Sequence, residues 1–360
     1  MKLFFLSLGV LFFPFCLYAL DSSGLQYALA ADVIYQQNID GETDDSGKLN
    51  LREVELIFFG PIDQSFDAVI SVVAHEHDNT HSVELHEAYI ESSKLLNRSN
   101  IKLGQFFLGI GRLNRIHRHD WAFSVTPKVQ KELLAGEGIY DAGVEYNYLF
   151  DTQSYLNWTL GLSSGHKFGH DHESHSSDND HHDHSHSSSP KTPTYYTRVS
   201  HFIELGGSNG IEWGVNYLGR KDNESSRYHL TGVDFTAKWR EGRVVVWNLQ
   251  SEWWYQNKKN HNNQKSDYFG GYLFVERGLS PNWSLGLRGD FYREDHDEKT
   301  WAVSPSVTYR NSEFSWFRAS IYHQFEGDHH AHSHDHNHDK ETRVELQIVF
   351  ILGAHPAHSF

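Results

Sequence analysis

Apolar and polar residues alternate with period two through most of the chain, the pattern of a strand with one apolar and one polar face. Tyr140, Ala142, Val144, Tyr146 and Tyr148 alternate with Ile139, Asp141, Gly143, Glu145 and Asn147. Leu156, Trp158, Leu160 and Leu162 repeat the pattern, as do Trp283, Leu285, Leu287, Gly289 and Phe291. The last such run sets Val344, Leu346, Ile348, Phe350 and Leu352 against Arg343, Glu345 and Gln347. Strands of soluble proteins run about 5 or 6 residues. These segments reach about 10, the length that crosses a bilayer when tilted. The pattern predicts an all-β fold, a transmembrane antiparallel barrel whose apolar face is turned outward to lipid.

About sixteen such segments can be counted, an even number of the kind bacterial outer-membrane barrels use. They span approximately 24–36, 49–59, 65–76, 82–92, 99–107, 138–149, 154–163, 194–205, 210–219, 228–239, 242–256, 266–277, 282–292, 300–310, 314–325 and 341–352. The connections sort by parity. Short turns (GPIDQ, SKLLNR, FDTQ, GGSN, REG, GLSP, RNSE) follow even-numbered strands, and longer polar loops follow odd-numbered ones. In such barrels short turns face the periplasm and long loops face outside. Tryptophans 158, 213, 239, 253, 283, 301 and 316 fall mostly near strand ends, where an aromatic girdle meets lipid headgroups.

Two of the long loops, 164–193 and 326–340, are dominated by histidine. The first carries His166, His170, His172, His175, His181, His182, His184 and His186, interleaved with Asp and Glu. The second carries His329, His330, His332, His334, His336 and His338. Neither segment has the apolar residues to build a core, and neutral imidazole with carboxylate ligates zinc, nickel or copper. Parity places both loops outside, where they would hold a transported or loop-bound ion in weak, exchanging fashion rather than as a tightly bound cofactor.

The N-terminus, MKLFFLSLGVLFFPFCLYAL, predicts a signal peptide over 1–19 and a barrel over 20–360. Without that leader the chain has no cysteine, and 30 Lys and Arg against 47 Asp and Glu leave a net charge of −17. Nucleic acid is excluded as a partner by that charge; outer-membrane lipid and small ions or solutes are the expected ones. Ser and His are plentiful, but no strand pairs them with a third catalytic member, so no enzyme is expected.

The stretches LNLREVELIFFGPIDQSFDAVISVV, ELHEAYIESS, IKLGQFFLGIGR and GIYDAGVEYNY resemble the phosphate-selective porin group over about a hundred residues. That resemblance implies a sixteen-stranded, trimeric porin narrowed by its third loop. The His-rich loops and the HPAH tail, with His355 and His358, are similar to outer-membrane proteins labelled zinc-regulated receptors. The loop after the fifth strand, 108–137, carries Arg112, Arg115 and Arg118 at spacing three, with His117 and His119 on either side of the last of them and Lys128 and Lys131 beyond. Folded into the lumen, it would form a constriction with a positive screen; alternatively its charges would pair with Asp141, Glu145 or Glu252 on the wall. The acidic composition and the mixed inward charges (Arg198, Arg288, Arg318 and Arg343 beside Glu212, Asp234, Asp290 and Glu345) depart from a phosphate channel. Three readings result: a porin that assists metal uptake, an anion-selective porin with pH-responsive loops, and a TonB-type metal receptor. The last needs a plug and about 22 strands.

Overall fold

A computed structural model describes residues 24–40, 47–77, 80–165, 192–221, 227–242, 244–259, 264–295, 299–325 and 340–354. The leader, the His tracts between 166–191 and 326–339, and the HPAH tail lie outside the described residues.

Sixteen antiparallel strands form a closed barrel in sequence order: β1 Gln26–Asn38, β2 Lys48–Pro61, β3 Asp67–His77, β4 Thr80–Ser92, β5 Ser99–Phe107, β6 Tyr140–Leu149, β7 Tyr155–Ser163, β8 Thr194–Gly206, β9 Asn209–Lys221, β10 Arg227–Glu241, β11 Val244–Lys259, β12 Lys265–Gly278, β13 Trp283–Arg293, β14 Lys299–Ser312, β15 Ser315–Gln324 and β16 Glu341–Gly353. Each lies within three residues of the span expected from alternation. β1 pairs with β16 from Ala28↔Gly353 to Asn38↔Arg343, so no strand is left with an open edge. Sixteen strands are fewer than the roughly 22 of plugged outer-membrane transporters, which removes the TonB-type reading.

The faces are inverted relative to a soluble barrel. On β16 Leu346, Ile348, Phe350 and Leu352 are exposed, whereas Glu345 and Gln347 are buried inside. On β13 Leu285 and Leu287 point out while Arg288 and Asp290 point in. Trp239, Trp283 and Trp301 are exposed near strand ends, as an aromatic girdle requires.

The longest connections, 108–139, 164–193 and 325–340, all follow odd-numbered strands, but β9–β10, β11–β12 and β13–β14 are joined by five residues each, no more than β2–β3 or β6–β7. β3 and β4 pair to their tips, His77 opposite Thr80, so only two residues separate two strands that were expected to be joined by a longer loop. Asp78 and Asn79 are turn-forming types, and pairing that runs on to Thr80 uses up the residues a loop would need. The His tracts join β7 to β8 and β15 to β16, both at the rim opposite the short turns.

Candidate functional site

Between β5 and β6 the chain turns back into the barrel. Its neck is closed by Leu108 N donating to Ile139 O at 2.9 Å. Asn114, itself buried, bridges both ends: Nδ2 donates to Leu108 O (2.8 Å) and Ile139 O (3.1 Å), and Oδ1 accepts from Ile139 N (2.5 Å). The sequence GIGR then brings backbone close to the wall. Gly109 N donates to Glu145 Oε2 at 3.0 Å and Gly111 N to Asn216 Oδ1 at 2.8 Å. A Cβ at either glycine would collide with Glu145 or Glu252, and Gly111 has φ +61°, a conformation that favours glycine.

The loop docks on two chemically different walls. Toward β8–β13 it is apolar: Leu108, Ile110, Leu113, Phe123 and Val129 pack with Tyr196, Trp254, Tyr272 and Phe274, and the short helix α1, Lys128–Leu133, lies against β11–β13. Charge holds it as well, from Arg52 on β2 and Arg318 on β15 and from Arg288 on β13 at the margin of the apolar wall. Arg52, Arg288 and Arg318 each donate to a loop carbonyl, those of Ser124 (2.7 Å), Val125 and Trp121 (3.3 Å) respectively. Ser124 Oγ donates to Glu345 Oε2 at 2.9 Å. These contacts cross the lumen from wall to wall.

The five residues singled out in this loop all lie inside the barrel. Arg112 is buried, and its backbone N–H and that of Leu113 donate to Glu252. Arg115 Nη2 pairs with Glu212 at 3.2 Å, and Arg118 Nη1 pairs with Glu137 at 3.2 Å. Arg115 and Arg118 are therefore ion-paired, with partners other than the three named from sequence. Glu145 instead takes Gly109 N and the Tyr196 hydroxyl (2.8 Å), and Asp141 takes Ser164 Oγ and Gly165 N.

His117 and His119 share one side, stacked with ring centroids 5.7 Å apart, and face β2–β4. His117 sits between Glu55 (3.0 Å) and Glu87 (3.2 Å); His119 meets Glu53 (3.3 Å), Glu55 (3.4 Å) and Asp120 (3.2 Å). Burial opposes protonation of both rings, but the carboxylates outweigh it. Glu55 and Glu87 hold His117 well above the usual imidazole range, and Asp120 and Glu53 lift His119 to about 10. This cluster is an ionic latch between loop and wall.

Sequence reasoning passed over the wall side of this latch. His75 on β3, His86 on β4 and Glu137 at the loop's end come together, and Glu53, Glu55 and His119 form a second convergent group. A signal for them exists. β2 and β4 each break strict alternation with two consecutive polar residues, Arg52-Glu53 and His86-Glu87, and the register slips at both places. A polar pair inside an alternating strand marks a bulge that points both side chains inward.

No family model matches the chain. It is 24% identical over 351 residues to an uncharacterized protein of Aquifex aeolicus (strain VF5), covering 89% of this chain and 72% of that one. Among solved structures it is similar to OprB of Pseudomonas putida in its high-pH form, with a TM-score of 0.65 and 8% identity over 93% of this chain and 96% of that one. It is likewise similar to the anion-selective porin of Comamonas acidovorans, with a TM-score of 0.61 and 11% identity over 91% and 98% of the two chains. The fold is that of the outer-membrane porins.

Proposed function

We propose that this protein is an outer-membrane porin that passes small solutes passively and assists acquisition of zinc, or of nickel or copper, through its two His-rich tracts. The observation that carries the channel reading is the loop 108–137, which crosses a closed barrel with a polar inner wall and narrows it through contacts with opposite sides. Arg112, Arg115, His117, Arg118 and His119 belong to that constriction. The exposed apolar belt supports lipid as the surrounding partner, and a trimer is part of the same reading.

The tracts support the metal reading by their position. In a barrel of sixteen strands wound in order, the β7–β8 and β15–β16 connections lie eight strands apart, on opposite sides of the mouth. A cation arriving at the entrance would meet imidazole from both sides, above a chain of net negative charge. Exchange rather than closure suits a ligand that must be released inward.

Anion selectivity is the second reading. Arg112, Arg115, Arg118 and Lys128 favour it, whereas the Glu212 and Glu137 partners of two of these arginines reduce the positive field that they offer.

Deleting 166–186 and 329–338 tests the metal role. Zinc bound per chain should fall steeply, growth in chelator should slow, and the barrel should keep its heat resistance because its wall hydrogen bonds are untouched. A deletion strain that grows like its parent under zinc limitation, with unchanged zinc content, would leave the tracts without a role in acquisition.

A further inference from the structure

The hairpin β3–β4 carries chemistry that neither the tracts nor the loop's docking explains. His75 lies two residues inside the hairpin tip, at the same rim as the tracts. Further down, Ser71 pairs with Glu87 and Val72 with Leu85, which leaves His86 as the extra residue of a bulge. Regular alternation would turn Glu87 toward lipid once His86 points inward. The bulge keeps both inside, at 3% and 8% exposure. Bulges next to functional sites re-aim side chains in this way.

The re-aimed ring places His86 Nε2 3.3 Å from His75 Nε2, and Glu137 Oε2 lies 3.7 Å from His75 Nε2 and 4.0 Å from His86 Nε2. The nearest point equidistant from these three atoms lies in their plane, about 2.1 Å from each, within the range of zinc–imidazole and zinc–carboxylate bonds. Ligand atoms around a tetrahedral ion with bonds of that length are about 3.4 Å apart, close to the spacing of the two imidazoles, and Glu137 would move in by a few tenths of an ångström to complete that geometry. The surroundings hold the ligands in place. Glu137 gives its other oxygen to Arg118 at 3.2 Å, and the His86 ring stands edge-on to Phe107 and lies against Tyr140, with centroids 5.6 and 5.0 Å away. Such outer contacts orient metal ligands.

The neighbouring group of Glu53, Glu55 and His119 is different in kind. Its imidazole already serves as the cationic partner of the carboxylates around it, so a metal ion would first have to displace that proton.

We propose that His75, His86 and Glu137 form a binding site for a divalent first-row transition metal, zinc fitting two imidazoles and one carboxylate best, with the remaining coordination positions open. The site stands apart from the tracts and does not depend on their binding metal. Its ligands come from the wall and from the loop, so an ion held there ties the loop's end to β3–β4 just inside the mouth.

Crystals of the full chain grown with zinc, measured above and below the zinc absorption edge, test this. An anomalous peak is expected between the three side chains, and it should vanish in His86→Gln and in His75→Gln. Refolded full-length protein dialysed against buffered low zinc should lose one equivalent in either variant and none in a His201→Gln control. Absence of the peak from wild-type crystals, or its survival in either variant, would overturn the site. Zinc at these residues with none on the tracts would uphold it while removing the tract reading.

Discussion

Replacing Glu252 by alanine is expected to release the constriction while leaving the barrel intact. This buried carboxylate accepts the backbone N–H groups of Arg112 and Leu113, and the hydroxyl of Tyr272 at 3.2 Å. Alanine leaves two backbone donors buried without an acceptor, at a cost of about 1–3 kcal/mol each. The penalty falls on the docked loop rather than on the wall, whose strand ladders do not use this side chain. Single-channel conductance should rise and become noisier, and Glu252→Gln, which keeps one acceptor oxygen, should fall between. Conductance identical to wild type in the alanine variant would mean that the apolar contacts of Leu113, Phe123 and Val129 hold the loop without this anchor.

The largest loss of stability is expected from Arg198→Met. Arg198 is buried on β8, with Nη2 2.7 Å from Asp234 and 2.9 Å from Glu212, and Asn216 adds a further donor to Asp234 at 2.7 Å. Removing the guanidinium strands two buried carboxylates, a change that costs about 3–5 kcal/mol when one partner of a buried pair is lost. Arg115 still reaches Glu212, so Asp234 bears most of the loss. The urea midpoint, followed by tryptophan fluorescence, should drop sharply. Arg198→Lys restores the charge but not the forked geometry and should recover only part of it. Equal midpoints for Arg198→Met and wild type would indicate that water reaches this part of the lumen and screens the pair.

Strand positions were legible because alternation is local: each span needs only its own residues, and an inside-out face declares itself in runs such as Leu346, Ile348 and Phe350 against Glu345 and Gln347. The inward path of the loop was legible in part. Its length and basic spacing pointed to the lumen, but the partners of Arg115 and Arg118 depend on which strands lie across the barrel, and strand order alone does not give side-chain reach. Glu212 is 97 residues from Arg115. The group of His75, His86 and Glu137 was obscured for another reason. Two isolated histidines carry little weight beside tracts of eight and six, and their meeting depends on a one-residue slip in pairing between β3 and β4. The consecutive polar residues in LHEAY were the visible trace of that slip.

Expectations for the tracts rested on composition, which identifies ligand chemistry without fixing geometry. What the fold adds is their anchoring: each is bounded by paired strands at one rim, Ser163 to Thr194 and Gln324 to Glu341. On the metal reading proposed above, an entering cation meets the tracts first and the wall histidines beneath that rim afterwards.

Ion current through the purified full-length protein in a planar bilayer tests the channel reading most directly. Stepwise openings are expected in a salt gradient, with a reversal potential that shifts when zinc is added on the side of the His tracts. Absence of any step current, in the wild-type protein and in Glu252→Ala alike, would contradict a porin.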